Sequence, residues 1–293
     1  MTPQISLVMP VLNGERFIAD ALDSVPAGVD GLDFELILAD GGSRDATLAI
    51  AGRYPFVRVL RGPDRGLYDG LNRAISEARG SFIALLNSDD ALHEGGLAKL
   101  FAAAEEQSAD MAMGGVSYGA NPEAGEFVYP RSSLSVEGLA FGIPAINARL
   151  FRRSVFRRAG LFRTDLGVGA DRELLARMHI AGIRGVAVRA PVYHYRTHDG
   201  SLTLAGNGVA RRRIWRSDTE VMQAILQVPD LDRRHARAAS QGLALLRAKQ
   251  TVGRWRERET EASTQAVLSL SDVLNLPTAM VRWWAWRGQL SGH

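Results

Sequence analysis

Two neighbouring carboxylates end one apolar run of the sequence, where Asn87-Ser88-Asp89-Asp90 directly follows Phe82-Ile83-Ala84-Leu85-Leu86. Adjacent carboxylates repel each other unless something compensates their charge, and a hard divalent cation that also binds a diphosphate would do so. We expect the cation on this pair, Asp89 and Asp90. In the structural alternative, Asp90 begins a loop and Asp89 pairs with an arginine.

Another carboxylate, Asp40, follows the apolar run Leu36-Ile37-Leu38-Ala39. At the end of a parallel strand it could accept hydrogen bonds from a base or a ribose. The alternative is that Asp40 caps a tight turn while Ser43 or Asp45 caps the next helix. The glycines of this loop do not form GxGxxG, so the dinucleotide-binding fingerprint is absent there.

A candidate general base lies further along, where Asp171 precedes the helical apolar spacing of Leu174, Leu175 and Met178. The dipole at a helix N-terminus favours an ionised carboxylate, as a general base requires. A plain N-cap is an equally good interpretation of Asp171. Glu173 points elsewhere on the helix and is the weaker candidate for a base.

Cationic and imidazole groups are concentrated in Tyr193-His194-Tyr195-Arg196-Thr197-His198-Asp199-Gly200-Ser201. Arg196 could neutralise a phosphate, and His198 could reach a metal or a diphosphate. A lone histidine is more often structural than functional, so both interpretations of His198 stay open at this point.

An alternation of short apolar runs with amphipathic stretches over the first hundred residues predicts the elements that place these groups. Such alternation is typical of a parallel sheet covered by helices, whose ligands bind at the carboxyl ends of the strands. The predicted strands are Ile5–Met9, Glu35–Ala39, Val57–Leu60 and Phe82–Leu86, and the predicted helices are Arg16–Val25, Ala46–Arg53, Leu67–Ala78 and Gly95–Gln107.

After Leu86 the alternation of apolar runs and amphipathic stretches is less regular, which predicts a more irregular second half of the α/β region. It contains a Gly- and Pro-bearing stretch from Gly114 to Pro130 and a short element near Ser135–Phe141. A helix over Asp171–Ala181, a strand near Gly185–Val188 and the segment Pro191–Thr203 follow. From about Gly206 the pattern is helical, with interruptions at Pro229 and Pro277.

The composition limits the available chemistry. The 293 residues include no cysteine, which excludes disulfides, thiolate nucleophiles and cysteine-ligated zinc, so a metal must sit on oxygen or imidazole ligands. The first residues lack a signal-peptide pattern, and no run reaches the roughly 18 to 20 apolar residues of a membrane span. We therefore expect a cytoplasmic location.

The end of the chain differs from the rest in charge and in aromatic content. Residues 1–205 carry 21 Lys+Arg and 24 Asp+Glu, whereas residues 206–293 carry 14 and 8 together with all five tryptophans. Arg211-Arg212-Arg213 with Trp215, and later Arg282–Arg287, combine indoles and cations as interfacial membrane helices do. The alternative is a helical bundle packed on the first part or on a second subunit. No nucleic-acid recognition motif accompanies these basic residues.

In this order, the segments resemble the family 2 glycosyltransferases of the GT-A fold, particularly bacterial enzymes of polysaccharide assembly, over roughly residues 4–203. The matching segments are Ile5–Pro10 with Asn13 and Glu15, Asp40–Ser43 with Asp45, Asp64–Asn72, Asn87–Asp89, and Asp171. The resemblance implies a Rossmann-like, mainly parallel central sheet flanked by helices. It predicts a GT-A catalytic domain over residues 1–205 and a helical, Arg/Trp-rich extension over residues 206–293.

The resemblance also implies a role for each candidate. Asp171 matches the catalytic base. Contacts to a nucleotide-sugar fall on Pro10, Asn13, Glu15, Asp40, Arg65, Asp69, Ser88, Asp89 and Arg196, and a divalent Mn²⁺ or Mg²⁺ falls on Asp89, Asp90 and His198. Two positions depart from the family pattern, because Asn87 stands first in the Asp-x-Asp motif and Ala170-Asp171 replaces the frequent Glu-Asp.

The implied activity is inverting transfer of a sugar from a nucleoside-diphosphate sugar to a hydroxyl of a saccharide or lipid-linked saccharide, with uridine as the first choice of base. Peripheral contact with the inner membrane surface and an oligomer through the helical region are the implied associations. Two other classes stay open. A nucleotidyltransferase would show an early Gly-rich, basic stretch, and none precedes Asn13. A non-catalytic interaction module would bind no nucleotide with metal.

Overall fold

A mixed β-sheet forms the centre of the protein in a computed structural model that describes residues 2–121, 126–129, 139, 144–200 and 208–257. Within these residues the strands lie in the order β3-β2-β1-β4-β8-β6-β9-β5, with β7 paired to β6. The strands are β1 Ile5–Val11, β2 Phe34–Asp40, β3 Val57–Arg61, β4 Phe82–Leu85, β5 Ala91–Leu92, β6 Met111–Gly119, β7 Glu126–Val128, β8 Arg149–Arg152 and β9 Gly185–Arg196.

Helices cover both faces of this sheet. They are α1 Ile18–Val29, α2 Thr47–Ala51, α3 Leu67–Glu77, α4 Gly96–Glu106, α5 Arg153–Ala159, α6 Ala170–Ile180, α7 Gly208–Leu226 and α8 Arg233–Glu257 within the described residues. Short 3₁₀ helices lie at Ile146–Ala148 and Gly167–Gly169. The four strands and four helices predicted for the first hundred residues are all present, as is the helix predicted at Asp171–Ala181.

The parallel half of the sheet explains why its strands read as continuous apolar runs. All seven residues of β1 are buried, because one hydrophobic cluster covers each face. Val8 packs on one face and Leu7 on the other, and both are fully buried. Each such side chain contributes about 1.5–3 kcal/mol through burial. The register pairs Val11 with Asp40, so the loops after β1 and β2 start side by side.

The second half of the sheet is more regular than the sequence predicts. The stretch from Gly114 to Pro130 was predicted to be irregular, yet β6 continues through it to Gly119 and β7 follows. Gly115 lies inside β6 because its neighbours approach closely: a Cβ there would come within 2.7 Å of the Tyr129 ring. Strand β9 likewise runs eight residues beyond the predicted Val188, to Arg196, and its pairing with β6 shifts register opposite Gly115.

The C-terminal part of the described chain is helical, as predicted, and Pro229 lies between α7 and α8. Val221, Met222 and Ile225 of α7 belong to the same hydrophobic cluster as Leu174 of α6. One cluster therefore contains residues from both sides of the boundary predicted at residue 205. Among the described helices, none combines the length and the apolar content that a bilayer-spanning segment needs. Pro277 and, except for Leu139, the element predicted near Ser135–Phe141 lie outside the described residues.

Candidate active site

The loops after β1 and β2 are joined by reciprocal hydrogen bonds. The Asn13 amide nitrogen donates to Ser43 Oγ at 2.9 Å, and the Arg44 amide nitrogen donates to Asn13 Oδ1 at 2.9 Å. Glu15 Oε2 accepts from the Ala46 amide nitrogen at 2.9 Å. Asn13 and Glu15, both predicted to contact a nucleotide-sugar, thus hold the two loops together in the structure. Direct contact with a donor stays a prediction for both residues.

Asp40 caps the turn that follows β2. It is 2% exposed, and its carboxylate accepts hydrogen bonds from the amide nitrogens of Gly42 at 3.2 Å and Ser43 at 3.0 Å. Asp40 therefore caps the turn, as the alternative held, whereas the next helix has Ala46 at its N-cap and no side-chain cap from Ser43 or Asp45. Contact of Asp40 with a base or a ribose stays a prediction.

The loop after β3 meets the other two loops through Asp64. A Cβ at Gly41 would lie 2.7 Å from Asp64 Oδ2, and one at Gly70 would lie 3.1 Å from the same atom and 3.3 Å from Pro10 Cβ. These glycines are needed because the carboxylate occupies the space that a side chain would take. Pro10 therefore lies where these segments meet, and its contact with a nucleotide-sugar stays a prediction.

Arg65 and Asp69 form a pair beside this convergence. The Arg65 guanidinium lies 3.6 Å from Asp69 Oδ1, and its side chain is 82% exposed. An exposed pair of this kind contributes little to stability. The Arg65 charge is therefore accessible to an anionic ligand, while Asp69 anchors the Arg65 backbone through a 3.1 Å hydrogen bond.

Asp89 pairs with His198 across the end of the sheet, with His198 Nε2 lying 3.0 Å from Asp89 Oδ2. The Gly200 amide nitrogen donates to His198 Nδ1 at 3.2 Å, so a neutral His198 carries its proton on Nε2 and donates it to Asp89. The histidine ring packs 4.7 Å from the ring of Phe17. The structure thus brings together two of the three predicted metal ligands, while Asp89 keeps 39% of its side-chain surface exposed.

Asp90, the third predicted ligand, faces the protein interior. It is 4% exposed, and it accepts hydrogen bonds from Asn87 Nδ2 at 2.9 Å, Tyr193 Oη at 2.7 Å and the Arg196 amide nitrogen at 2.9 Å. Burial, and then the charge of Asp89, raise the pKa of Asp90 to about 7. Asp90 thus anchors the loop, and metal binding by this carboxylate would require it to exchange these donors.

The Tyr193 hydroxyl is the centre of this network. It accepts from the Asn87 amide nitrogen at 3.0 Å and from Asn147 Nδ2 at 2.8 Å, and it donates to Asp90. Tyr193 is completely buried. One hydroxyl therefore joins the loop after β4, the segment before β8 and strand β9.

Arg196 makes many contacts within the protein. Its Nε donates to the Asp89 carbonyl at 3.1 Å, and its guanidinium pairs with Asp20 at 3.0 Å and lies over the Phe17 ring. Its side chain is 13% exposed. It holds the backbone of the acidic loop directly, and its predicted contact with a phosphate stays a prediction.

Ser88 connects this loop to the first strand. A Cβ on Gly14 would lie 3.2 Å from Ser88 Oγ, so the loops after β1 and β4 are in contact. Ser88 is half-buried between them. This contact brings the acidic loop next to the converging loops around Pro10.

Asp171 lies at the start of α6, as predicted, but it does not act as a plain N-cap. The cap position is Gly169, without a side-chain cap, and the Asp171 carboxylate instead accepts a hydrogen bond from the Tyr68 hydroxyl. Burial raises the pKa of Asp171 to about 7, against the opposing effects of this hydrogen bond and of the charges of Arg172 and Arg149. Desolvation therefore opposes the ionised form that the helix dipole favours, and the role of Asp171 as the general base stays a prediction. Glu173 is occupied by an ion pair with Arg177 at 2.7 Å.

Tyr195 connects the two carboxylate sites. Burial, followed by the charges of Tyr118, Asp90 and Asp171, raises the pKa of Tyr195 well above its usual value. Asp90 and Asp171 therefore both lie within electrostatic reach of one phenol. The acidic loop after β4 and the start of α6 face a common region.

Residues that the sequence did not single out do much of the positioning, namely Tyr68, Asn147, Arg149, Tyr193 and Tyr195. Tyr68 precedes Asp69 in a segment already noted, and Tyr193 and Tyr195 belong to the run that contains Arg196. Their alternation in β9 was the available signal. Asn147 and Arg149 carried no such signal. Asn147 precedes β8 and Arg149 begins it, and because no strand was predicted there, both looked like loop residues in the sequence.

The protein side chains near Asp89 provide only part of the coordination that a divalent cation needs. Across the described part of the chain, no three His, Asp or Glu side chains come together as a complete set of metal ligands. Asp89 offers a carboxylate oxygen, which suits Mn²⁺ or Mg²⁺ when diphosphate oxygens and waters complete the coordination, whereas His198 would have to give up its Nε2 proton to offer an imidazole nitrogen.

Comparison with known sequences decides the family. Residues 6–160 match the family profile described as "Glycosyl transferase family 2", which is more than half of the chain. The chain belongs to glycosyl transferase family 2. The predicted family is confirmed, although Asp171, Arg196 and His198 lie beyond the matched residues.

Two curated relatives with similar sequences come from bacteria. A PGL/p-HBAD biosynthesis glycosyltransferase of Mycobacterium tuberculosis is 33% identical over 174 residues, which cover 55% of this chain and 62% of the relative. An uncharacterized glycosyltransferase, EpsJ of Bacillus subtilis, is 27% identical over 221 residues, covering 69% and 64%. The chain thus spans less than two thirds of the length of these relatives.

Solved structures share the fold of this family 2 chain. S. aureus TarS 1-349 in complex with UDP-GlcNAc has a TM-score of 0.67 at 18% identity, covering 95% of this chain and 81% of that one. Mannosyltransferase PcManGT from Pyrobaculum calidifontis, in complex with GDP-Man and Mn²⁺, has a TM-score of 0.64 at 16% identity, covering 99% and 84%. The predicted GT-A fold with a helical C-terminal region is confirmed.

Proposed function

We propose that this protein is an inverting glycosyltransferase that moves a sugar from a nucleoside-diphosphate sugar to a hydroxyl of a saccharide or lipid-linked saccharide. The observation that carries the proposal is the hydrogen bond between Tyr68, in the first turn of α3, and Asp171. Asp90 and Asp171 also lie together within electrostatic reach of Tyr195. One carboxylate belongs to the loop that would hold the donor, and the other to the helix that would hold the base. A transferase needs both, whereas a nucleotide-binding module needs only the first.

The donor would occupy the converging loops around Pro10, with its diphosphate toward Asp89. A divalent metal held by Asp89 and His198 would offset the negative charge that builds on the diphosphate as the sugar departs. Arg65, with its exposed guanidinium, would add a second positive charge on that side. Arg196 would keep the Asp89 backbone in place through its 3.1 Å hydrogen bond.

Asp171 would remove the proton from the acceptor hydroxyl. The acceptor oxygen then forms a bond to the anomeric carbon while the bond from that carbon to the diphosphate oxygen breaks on the opposite face. The proton ends on the Asp171 carboxylate, and the electron pair of the broken bond leaves with the nucleoside diphosphate. One displacement inverts the anomeric configuration, so no nucleophile from the protein is needed. A base with a pKa of about 7 is well matched to neutral pH.

UDP- and GDP-sugars are the donor classes to test first. TarS was crystallised with UDP-GlcNAc and PcManGT with GDP-Man and Mn²⁺, and the mycobacterial relative is named for PGL/p-HBAD biosynthesis. These names support a role in polysaccharide or glycoconjugate biosynthesis. The Mn²⁺ in the PcManGT complex also supports a Mn²⁺-assisted reaction.

Peripheral membrane contact is a further part of the proposal, supported by Arg213 and Arg216, which are exposed on α7. The apolar face of α7 packs inside the protein, so contact would be electrostatic. The full chain should sediment with vesicles that contain anionic phospholipid and should be released by salt. Equal recovery with purely zwitterionic vesicles would exclude this contact.

The decisive experiment compares Asp171→Asn with wild type. We expect turnover of UDP-GlcNAc or GDP-mannose to fall by about 10²–10⁴-fold, the usual contribution of a general base. Mn²⁺-dependent binding of UDP or GDP, measured by calorimetry, should be unchanged. Asp165→Asn is the matched control, because that carboxylate is exposed and pairs with Arg163. Turnover of Asp171→Asn close to wild type would remove the base from the proposal.

A further inference from the structure

Helix α7, from the C-terminal region, contacts the segment that carries Asp171 on both sides of that residue. Ser217 Oγ donates to the carbonyl oxygen of Leu166 at 2.6 Å. Asp218 Oδ1 accepts from Arg172 Nε at 2.8 Å. The two contacts therefore hold the chain just before and just after the carboxylate.

The approach of α7 is close enough to require a glycine. A Cβ on Gly169 would lie 2.4 Å from Ser217 Oγ and 3.0 Å from Val221 Cγ2. Gly169 has a φ of −86°, an ordinary value that any residue adopts. The glycine is thus needed for space and not for backbone conformation, and α7 rests on the backbone immediately before α6.

The contacts are also buried. Arg172 is 7% exposed, Asp218 is 9% exposed and Ser217 is 6% exposed. A buried ion pair tolerates little change in geometry, because either charge without its partner would remain away from water. Val221 and Met222 continue the contact in the hydrophobic cluster that includes Leu174. The start of α6 is therefore held in one position relative to α7.

We propose that α7 belongs to the catalytic unit and that Ser217 and Asp218 are positioning residues for Asp171. The inference rests on the proposed function, since it matters only if Asp171 is the base. It gives the C-terminal region a role in the reaction in addition to any membrane contact. The position of a catalytic group has a large effect on the rate, because a misplacement of about 1 Å can cost about 100-fold.

The test uses two substitutions and their combination in the full chain. Gly169→Ala places a methyl group against Ser217 Oγ and should push α7 away from α6. With UDP-GlcNAc and GDP-mannose as probes, kcat should fall about 10- to 100-fold, while the donor KM and Mn²⁺-dependent UDP or GDP binding stay unchanged. Hydrogen exchange of residues 166–175 should rise. Ser217→Ala removes the Oγ that bonds to Leu166 and should also lower kcat, and the double variant should lose less than the product of the two single losses, because both act on one contact.

A second variant, Asp218→Asn, tests the same inference independently in case Gly169→Ala does not fold. Asp218→Asn keeps the shape of the side chain but removes its charge, and we expect kcat to fall about 10-fold with an unchanged donor KM. Asp110→Asn is its control, because Asp110 pairs with Arg158 at 3.0 Å away from α7. Asp110→Asn should leave kcat unchanged.

The outcomes separate this inference from the proposed function. Wild-type kcat in both Gly169→Ala and Asp218→Asn, with Asp171→Asn inactive, would overturn the role of α7 and leave the base assignment intact. Losses in Gly169→Ala and Ser217→Ala that multiply fully in the double variant would also overturn it, because the effect of Gly169→Ala would then be independent of its contact with Ser217. Activity of Asp171→Asn close to that of wild type would overturn both the base assignment and the positioning role of α7.

Discussion

The Tyr68 hydroxyl donates a hydrogen bond to the carboxylate of Asp171, and so joins the first turn of α3 to the first turn of α6. The same turn of α3 carries Asp69, which faces Arg65. One turn later, the Asn72 side chain exchanges hydrogen bonds of 2.8 and 2.9 Å with the Phe162 backbone. Helix α3 therefore contacts both the donor-side loop and the segment that leads to the proposed base.

Tyr68→Phe should move the pH profile of the reaction. Asp171 has a pKa of about 7 and must be ionised to act, so kcat/KM should rise with pH through that value. The Tyr68 hydrogen bond lowers this pKa, and its loss should shift the acidic limb to higher pH. A hydrogen bond to a carboxylate contributes about 1.5 kcal/mol, so kcat/KM below pH 7 should fall about 10-fold and approach wild type near pH 9.

Tyr54→Phe is the control for this shift, because the Tyr54 hydroxyl bonds to Asp23 at the surface, 2.8 Å away. Its pH profile should coincide with that of wild type. An unshifted acidic limb in Tyr68→Phe would show that the tyrosine does not act on the titrating group.

His198→Ala should weaken metal-dependent nucleotide binding. The variant removes one of two proposed ligands, and the affinity for UDP or GDP in the presence of Mn²⁺ should fall about 10- to 100-fold. Nucleotide binding without metal should change little. His235→Ala is a matched control, because His235 also pairs with an aspartate, Asp232, at 2.7 Å, but on α8. Equal Mn²⁺ dependence in wild type and His198→Ala would exclude the histidine from the metal site.

Tyr193→Phe should destabilise the protein and loosen the acidic loop. Without the hydroxyl, Asp90 loses a donor, and the Asn87 amide and Asn147 side chain lose their acceptor in the interior. Unsatisfied buried groups cost about 1–3 kcal/mol each, so the free energy of unfolding should fall by about 2–4 kcal/mol. Urea denaturation would measure it. A change below about 0.5 kcal/mol would mean that the network is not formed in solution.

The sequence predicted the parallel half of the fold well, because both faces of those strands are buried and each strand reads as one apolar run. It predicted the antiparallel half poorly. Strand β6 contains Gly114 and Gly115 at places where Val192 and Tyr129 approach, and such glycines look like loop residues in a sequence. Strand β9 contains Pro191 where its pairing changes register, so the pattern appeared to end early.

The candidate site shows a similar division. Residues at strand ends, such as Asp40 and Asp89, were located because their position follows from the strand pattern. Contacts between distant segments could not be predicted in this way. Tyr68 and Asp171, for example, are 103 residues apart in the chain and meet only through packing of α3 against α6. The desolvation of Asp171 could not be predicted for the same reason, because it depends on tertiary packing.

The side-chain amide of Asn87 matches the buried carboxylate beside it. The side chain donates to Asp90, whose remaining partners are also donors. An aspartate at position 87 would turn that donor into an acceptor and place a second carboxylate against a buried one. Asn87 is thus the residue type that suits the inward-facing Asp90, and Asn87→Asp alone would leave two carboxylates facing each other in the interior.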